Sequence, residues 1–270
     1  MPADMHTHSE HSHDSTCRIE EMLRAQKEKG TPIFAVTDHV DTASWQDYDV
    51  FTPIQKAHDT VVELNHRYGG SPLLLSGVEI SEGFWFPEVY EKLRTMTDYD
   101  VIIGSVHLVR FGELSYAYSK IDFSALSDET IAAYLDAYFD DILTMLDTID
   151  FDILAHLTCP LRYIVGKYHR TVSLDAYREK LDRILRRIIE KNIALEVNTS
   201  YSEAPGSFMP PTELLQRYRT LGGKLLTLGS DAHIPQNASN HFAEAVDTLK
   251  SLGFDTVYYY QNRQPYPISL

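Results

Sequence analysis

The stretch DMHTHSEHSHDS, residues 4–15, places four histidines and three carboxylates in twelve positions. Neutral imidazole nitrogen and carboxylate oxygen are good ligands for Zn²⁺, Fe²⁺ or Mn²⁺. On extended backbone, side chains two apart point to the same side. His6 and His8 can therefore approach one centre, as can Asp231 and His233 in SDAH near the other end of the chain. Clustered divalent cations lower the pKa of bound water and generate hydroxide near neutral pH. They also neutralise a phosphoryl group whose oxygens gain charge in the transition state. An HxH pair alone does not separate a purification tag, a surface metal sponge and the corner of an active site. What decides is whether the chain supplies partners at comparable places.

The elements that must position such partners are short apolar strands alternating with helices. ADMH is a very short first strand, and RIEEMLRAQKEKG reads as a helix ending near Gly30. PIFAVTD, PLLLSGVE and YDVIIGSVH read as buried strands, and PIQKAHDTVVELNHRYG as a helix punctuated by Pro and Gly. SDETIAAYLDAYFDDILTMLDT opens on a Ser N-cap with Glu129 close behind. FDILAH, IALEVN and KLLTLGSD are further strands; helices are expected through LDAYREKLDRILRRIIEKN, PTELLQRYRTLGG and NHFAEAVDTLKSLG. TVYYY is a last strand before a Pro-containing tail, and Glu82–Glu88 and Arg110–Ser127 read as longer loops. This alternation predicts a parallel sheet, most economically a closed βα barrel spanning residues 1–270 as a single domain, with an open doubly wound sheet as the alternative.

The residues at the carboxyl ends of these strands are His6 and His8, His39 in TDH, Glu79 in GVE, His107 in SVH, His156 in AHL, and Asp231 with His233. In a barrel those ends share one face, where catalytic loops gather. Core histidines satisfied by backbone partners would show no preference for carboxyl over amino ends. His11 and His13 alternate with serines and point elsewhere, and His58, His66 and His241 lie in helices and read as solvated. Asp38 should face away from the centre and orient a neighbour. Asn198 ends the sixth strand and could hydrogen-bond into the cavity. Cys17 and Cys159 read as buried apolar residues, too few for a disulfide framework.

Formal net charge is −15 with histidines neutral, and no Lys/Arg block exceeds RILRR. Such a surface repels nucleic acid and anionic membranes. No apolar run approaches the ~20 residues of a membrane span, and no signal peptide is expected. The balance favours a small-molecule site in a cytoplasmic protein. Neither a P-loop nor GxSxG is present, so ATP chemistry and a serine nucleophile are unsupported.

The ordered set HxH with a downstream Asp, then TDH, GVE, SVH, AHL and SDAH, resembles the polymerase-and-histidinol-phosphatase (PHP) superfamily across nearly the whole chain. The opening cluster and EVNTS look most like its histidinol-phosphatase branch. The resemblance implies a distorted (β/α)7 TIM-like barrel with three divalent ions (Zn, Fe or Mn). By resemblance, His6, His8, Glu79 and Asp231 hold the first ion. Glu79 bridges to a second completed by His107 and His156, and Asp14, His39 and His233 hold the third. His6, His8, Glu79, His107 and Asp231 would be catalytic. The implied reaction is hydrolysis of L-histidinol phosphate, in histidine biosynthesis, by metal-activated hydroxide. Arg162 is the leading phosphate ligand, followed by Arg110, Lys167 and His169. Glu113, Glu82 or Glu203 could meet the substrate ammonium, and Tyr116 and Tyr118 serve either substrate or loop packing. Relatives often carry a second arginine after the sixth strand, where this chain reads YSEAPGSFMPP. A PHP enzyme for phosphotyrosine protein or nucleotide, an amidohydrolase with Glu79 replacing a carboxylated lysine, and a non-enzymatic metal binder are the rivals. No nucleic-acid or membrane partner is expected, and the sequence is silent on oligomeric state.

Overall fold

The computed structural model describes residues 1–200 and 207–270. Its strands are β1 (Ile33–Val36), β2 (His39–Asp41), β3 (Leu73–Ser81), β4 (Val101–Ser105), β5 (Ile153–Leu154), β6 (Ala194–Asn198), β7 (Leu226–Gly229), β8 (Thr256–Gln261) and β9 (Gln264–Ser269). The helices are α1 (Ile19–Lys29), α2 (Thr52–Tyr68), α3 (Pro87–Arg94), α4 (Asp128–Thr148), α5 (Arg178–Lys191), α6 (Thr212–Thr220) and α7 (Phe242–Ser251). β1 and β2 both pair with β3, and the parallel order continues through β4, β5, β6 and β7.

The N-terminal segment closes this sheet. The Asp4 N–H donates to the Ile33 carbonyl at 3.0 Å, and the Asp4 and Thr7 carbonyls accept from Ala35 and Thr37. On its other edge Met5 N–H donates to Leu228, Asp231 N–H to His6, and His8 N–H to Ala232. Residues 4–8 thus bridge β1 to β7, and the open doubly wound alternative is excluded. The ring is a distorted TIM-like barrel: β5 is two residues long and β1–β2 is one interrupted stave.

Period-two alternation separates inside from outside. Ala35, Leu75, Val101, Ile103, Ile153 and Ala194 form one apolar cluster with Met5 inside the ring. Their neighbours Phe34 and Leu74 pack outward with α1 and α2, and Ile102 and Leu195 pack outward with α4 and α5. Two steps further along the same inner faces come Thr37 and His39, Gly77 and Glu79, Ser105 and His107, Glu196 and Asn198. The apolar plug thus lies below, and the polar groups lie at the carboxyl end.

The helices follow their punctuation. Gly30 and Gly69 cap α1 and α2 in the left-handed conformation, with φ of 75° and 65°. Ser127 accepts the Thr130 N–H at the start of α4, and α5 buries Leu181, Ile184, Leu185 and Ile188 at helical spacing. Three local expectations differ. The region after β3 contains α3, which starts at Pro87 and was too short for a periodic signal. His58 is not simply solvated; its Nδ1 lies 2.8 Å from Ser76 Oγ. The Pro-containing tail is β9, antiparallel to β8. Asn262 and Arg263 supply the two positive φ angles of a tight hairpin turn. Pro265 and Pro267 sit where an N–H would face the open edge, so their missing donors cost no ladder bond.

Candidate metal centre

Glu79 sits at the middle of the carboxyl face, its Cα in register with that of His39. The carboxylate is fully buried. Oε1 lies 3.0 Å from His156 Nε2 and 3.2 Å from His107 Nε2. Oε2 lies 2.7 Å from His39 Nδ1, 3.2 Å from His6 Nε2 and 3.7 Å from His8 Nε2. Asp231 Oδ1 is 3.1 Å from His8 Nε2, and Asp14 Oδ2 is 3.1 Å from His233 Nε2 and 3.6 Å from His39 Nε2. His8 stacks against both His39 and His233, with ring centroids 4.1 and 4.2 Å away. Among the described residues, four overlapping trios could hold an ion: His8–His39–His233, His6–His8–Asp231, His6–Glu79–His156 and His39–Glu79–His107.

Some of these contacts are hydrogen bonds, His156 to Glu79 and His8 to Asp231 among them, but others are not. His6 Nε2, His39 Nδ1 and Glu79 Oε2 are buried and make no hydrogen bond, although both nitrogens lie within 3.2 Å of that oxygen. Buried polar atoms left this way are costly. A divalent cation bound to nitrogen and oxygen donors would satisfy them together. The donor set fits zinc, iron or manganese.

The imidazoles are aimed from behind. Ser12 Oγ donates to Asp38 Oδ1 (2.8 Å) and accepts the His39 N–H (3.0 Å). Its one proton being used, it accepts from His8 Nδ1 at 3.1 Å, which leaves His8 Nε2 free toward the centre. Asp38 also accepts from Ser9, so it orients its neighbours from outside the centre. His233 Nδ1 donates to the Asp231 carbonyl at 2.9 Å. His107 Nδ1 faces Asp41 Oδ1 at 3.4 Å, and Ser81 Oγ holds Asp41 at 2.8 Å. Two residues at strand ends, His156 and Asp231, have positive φ (22° and 52°), a strained backbone that turns their side chains inward.

Burial opposes ionisation of Glu79 and Asp231, yet the facing imidazoles hold both far below the ordinary carboxylate range. Glu196 with Glu79 outweighs burial at His6, and Glu79 with Asp41 does so at His107, both held well above the usual imidazole value; Asp14 with Asp231 lifts His233 to about 9. Burial, with His39 and His233 alongside, pushes His8 well down, so it stays neutral.

Above the cluster opens a cavity of about 410 Å³, lined by Asp14, Asp41, Tyr118, Cys159, Arg162 and Tyr163 among others. Arg162 opens a π-helical turn, Arg162–Lys167, and its Nη1 is 3.3 Å from Ser200 Oγ. Arg110 instead lies over the Trp85 ring, 4.0 Å from its centroid. Lys167 approaches the Tyr168 ring and His169 is exposed; none of these three lines the cavity. Tyr118 is buried and lines it, whereas Tyr116 is exposed. His13 lines the rim, with Nδ1 3.6 Å from Asp41 Oδ2. Asn198 does reach the cluster, its Nδ2 3.3 Å from Asp231 Oδ2.

Of the carboxylates suggested for the ammonium, Glu113 is exposed in a turn outside the cavity, and Glu203 lies outside the described residues. Glu82 is a correction. It is buried, and its Oε1 accepts the backbone N–H of Leu108 at 2.9 Å and that of His107. Desolvation lifts its carboxyl to about 7. A folded-state pKa above the unfolded one favours folding below about pH 4.5, and that contribution is lost as pH rises from 4.5 to 7. Glu82→Gln keeps the accepting oxygen and removes the charge. It is expected to raise urea-unfolding stability at pH 8 by about 1–3 kcal/mol, with a smaller gain at pH 5. Equal effects at both pH values would refute the buried-charge account.

Two carboxylates near the centre escaped sequence reading, Glu196 and Asp41. The available signal was an acid inside a buried strand, two residues from Asn198 in EVN and two from His39 in DHVD.

Fold and site together define a TIM-like barrel whose carboxyl face can hold metal ions. The chain belongs to the PHP family: the PHP domain matches residues 4–200. It is 27% identical to the probable histidinol-phosphatase of Clostridium acetobutylicum, over 98% of this chain and all of that one. It is 25% identical to the histidinol-phosphatase of Lactococcus lactis, over 93% of this chain and 91% of the relative. The crystal structure of the L. lactis histidinol phosphate phosphatase, complexed with zinc, L-histidinol and phosphate, superposes with a TM-score of 0.79 at 22% identity, covering 98% of each chain. That last likeness is one of fold. Among the described residues, no helix is long and apolar enough to cross a membrane.

Proposed function

We propose that this chain is a metal-dependent phosphatase that hydrolyses L-histidinol phosphate to L-histidinol and phosphate. One observation carries the reading: a buried Glu79 among five imidazoles, of which His39, His107 and His156 line a cavity that also presents Arg162. The names of full-length relatives support the substrate.

In this reading His6, His8, Glu79 and Asp231 hold one ion, Glu79 with His107 and His156 a second, and Asp14, His39 and His233 a third. Cations bound there supply hydroxide near neutral pH and offset phosphoryl charge. The chain does the rest. Arg162 grips non-bridging phosphate oxygens with its planar fork. Tyr118 and Tyr163, 5.6 Å apart between ring centroids, wall off bulk water on that side. Net charge of −15 and the rim carboxylate Asp41 disfavour polyanionic substrates while suiting a substrate with an ammonium group. The two free cysteines suit a cytoplasmic setting. Residues 1–270 act as one unit, since the β8–β9 turn is tied to the barrel through Asn262 N–H to Asp100 and through Arg263 to Asp152.

Steady-state kinetics after metal analysis, on histidinol phosphate beside p-nitrophenyl phosphate, phosphotyrosine peptide and short single-stranded DNA, test the reading. Histidinol phosphate should have the highest kcat/KM. A better rival substrate refutes the specificity, and no turnover of any refutes the phosphatase. Arg162→Ala should lower kcat/KM for every phosphomonoester about 10- to 100-fold and weaken inhibition by inorganic phosphate alongside. Unchanged kinetics would take Arg162 out of the phosphate pocket.

A further inference from the structure

Glu196 is a buried acid in the middle of β6, two residues short of the strand's carboxyl end. A carboxylate so placed needs partners. It has three, from three staves. Oε1 lies 2.6 Å from His6 Nδ1. Oε2 accepts the His156 backbone N–H at 2.7 Å and the Asn198 side-chain amide at 3.2 Å. His156 is the residue with φ of 22°, so this bond pins a strained peptide. Asn198 in turn reaches Asp231. Space for the carboxylate is provided by the adjacent strand β7, whose Gly229 is in register with Asn198: a Cβ on Gly229 would stand 2.1 Å from Glu196 Oε1 and 2.7 Å from His6 Cβ. Gly229 has an ordinary φ, so its small size and not its backbone freedom is what the site uses.

We propose that Glu196 is the positioning residue of the metal centre: it fixes the His6 proton on Nδ1, so that Nε2 faces Glu79, and it clamps the His156 backbone so that its Nε2 faces the same carboxylate. The consequence is geometric. With Oε2 accepting two N–H groups, Oε1 is the acceptor left facing His6, and His6 Nδ1 donates to it. His6 Nε2 is then presented 3.2 Å from Glu79 Oε2, and His156 Nε2 3.0 Å from Oε1. One acid behind the centre thereby sets two of its imidazoles, from the first and fifth staves, before any ion arrives. Glu196 belongs to none of the trios that could hold an ion and does not line the cavity. Gln at this position would turn an NH₂ group either toward the His6 Nδ1–H or toward the His156 and Asn198 N–H groups, so it cannot accept from all three.

The inference rests on the reading of this face as a metal centre, and the experiment separates the two. Metal-free wild type, Glu196→Gln and Gly229→Ala are titrated with zinc against a chromophoric chelator, with circular dichroism as the fold control. Both variants should bind their tightest zinc about 10- to 100-fold more weakly than wild type while keeping wild-type secondary structure. A wild type that takes up no zinc removes the metal reading and this inference with it. A zinc-binding wild type beside a folded Glu196→Gln of equal affinity removes the inference alone. Should the variants not fold, ¹⁵N-histidine spectra of zinc-loaded wild type decide. A proton on His6 Nδ1 with zinc on Nε2 is the expected result, and the reverse assignment overturns it.

Discussion

Replacing Glu79 by Gln should lower kcat/KM for histidinol phosphate by at least about 10³-fold. The carboxylate is placed to bridge: its two oxygens divide five imidazoles between them, His107 and His156 on one side, His6, His8 and His39 on the other. Gln keeps the volume and one acceptor but offers an NH₂ where a ligand oxygen stood. Part of the negative charge that holds His6 (with Glu196) and His107 (with Asp41) well above the usual imidazole value is lost as well. The fold should survive, because Leu75, Val101, Ile103 and Ile153 fill the barrel beneath the site and do not depend on it. Metal analysis should show fewer ions per chain, and circular dichroism should match wild type. Near-wild-type turnover would remove Glu79 from the chemistry; unfolding would make the cluster structural.

Stripping the protein with a chelator should abolish turnover, and restoring zinc or manganese should return it. The same treatment should lower the melting temperature. Ligand at 1,000 times its dissociation constant stabilises by about 4 kcal/mol, which for a chain of this size corresponds to roughly 8–16 °C. A pH effect separates the two forms. In the metal-free protein His233 titrates at about 9, above its unfolded value of 6.5. That raised pKa stabilises the fold below pH 6.5, and the contribution is lost as pH rises from 6.5 to 9. Stripped protein should therefore melt at a lower temperature at pH 9 than at pH 6.5. Loaded protein should lose less, since bound cations replace the protons. Equal melting of the two forms at every pH would refute an occupied centre.

Much of this arrangement is legible without coordinates. Period-two alternation is local, so PLLLSGVE already says that Leu75 and Glu79 share a face. The βα rhythm places carboxyl ends on one rim, and His6, His8, His39, Glu79, His107, His156, Asp231 and His233 do meet there. Helix punctuation by Ser127, Gly30 and Gly69 is equally local. Arg110 shows where local reading ends: it follows a strand as Arg162 does, yet a tryptophan ring takes its guanidinium away from the cavity.

The amino-acid sequence by itself determined the alternation of elements, the chemistry of the donors and the end of each strand on which they stand, because these follow from steric periods of two and 3.6 residues along one chain. Only the tertiary structure decided that residues 4–8 close the ring between β1 and β7, that Glu82 turns to backbone amides, that β9 folds back on β8, and that Glu196 stands behind His6. Those facts depend on register between segments up to 225 positions apart, the separation of His6 and Asp231. Such register is set by packing and ring closure, which leave no periodic mark on either segment.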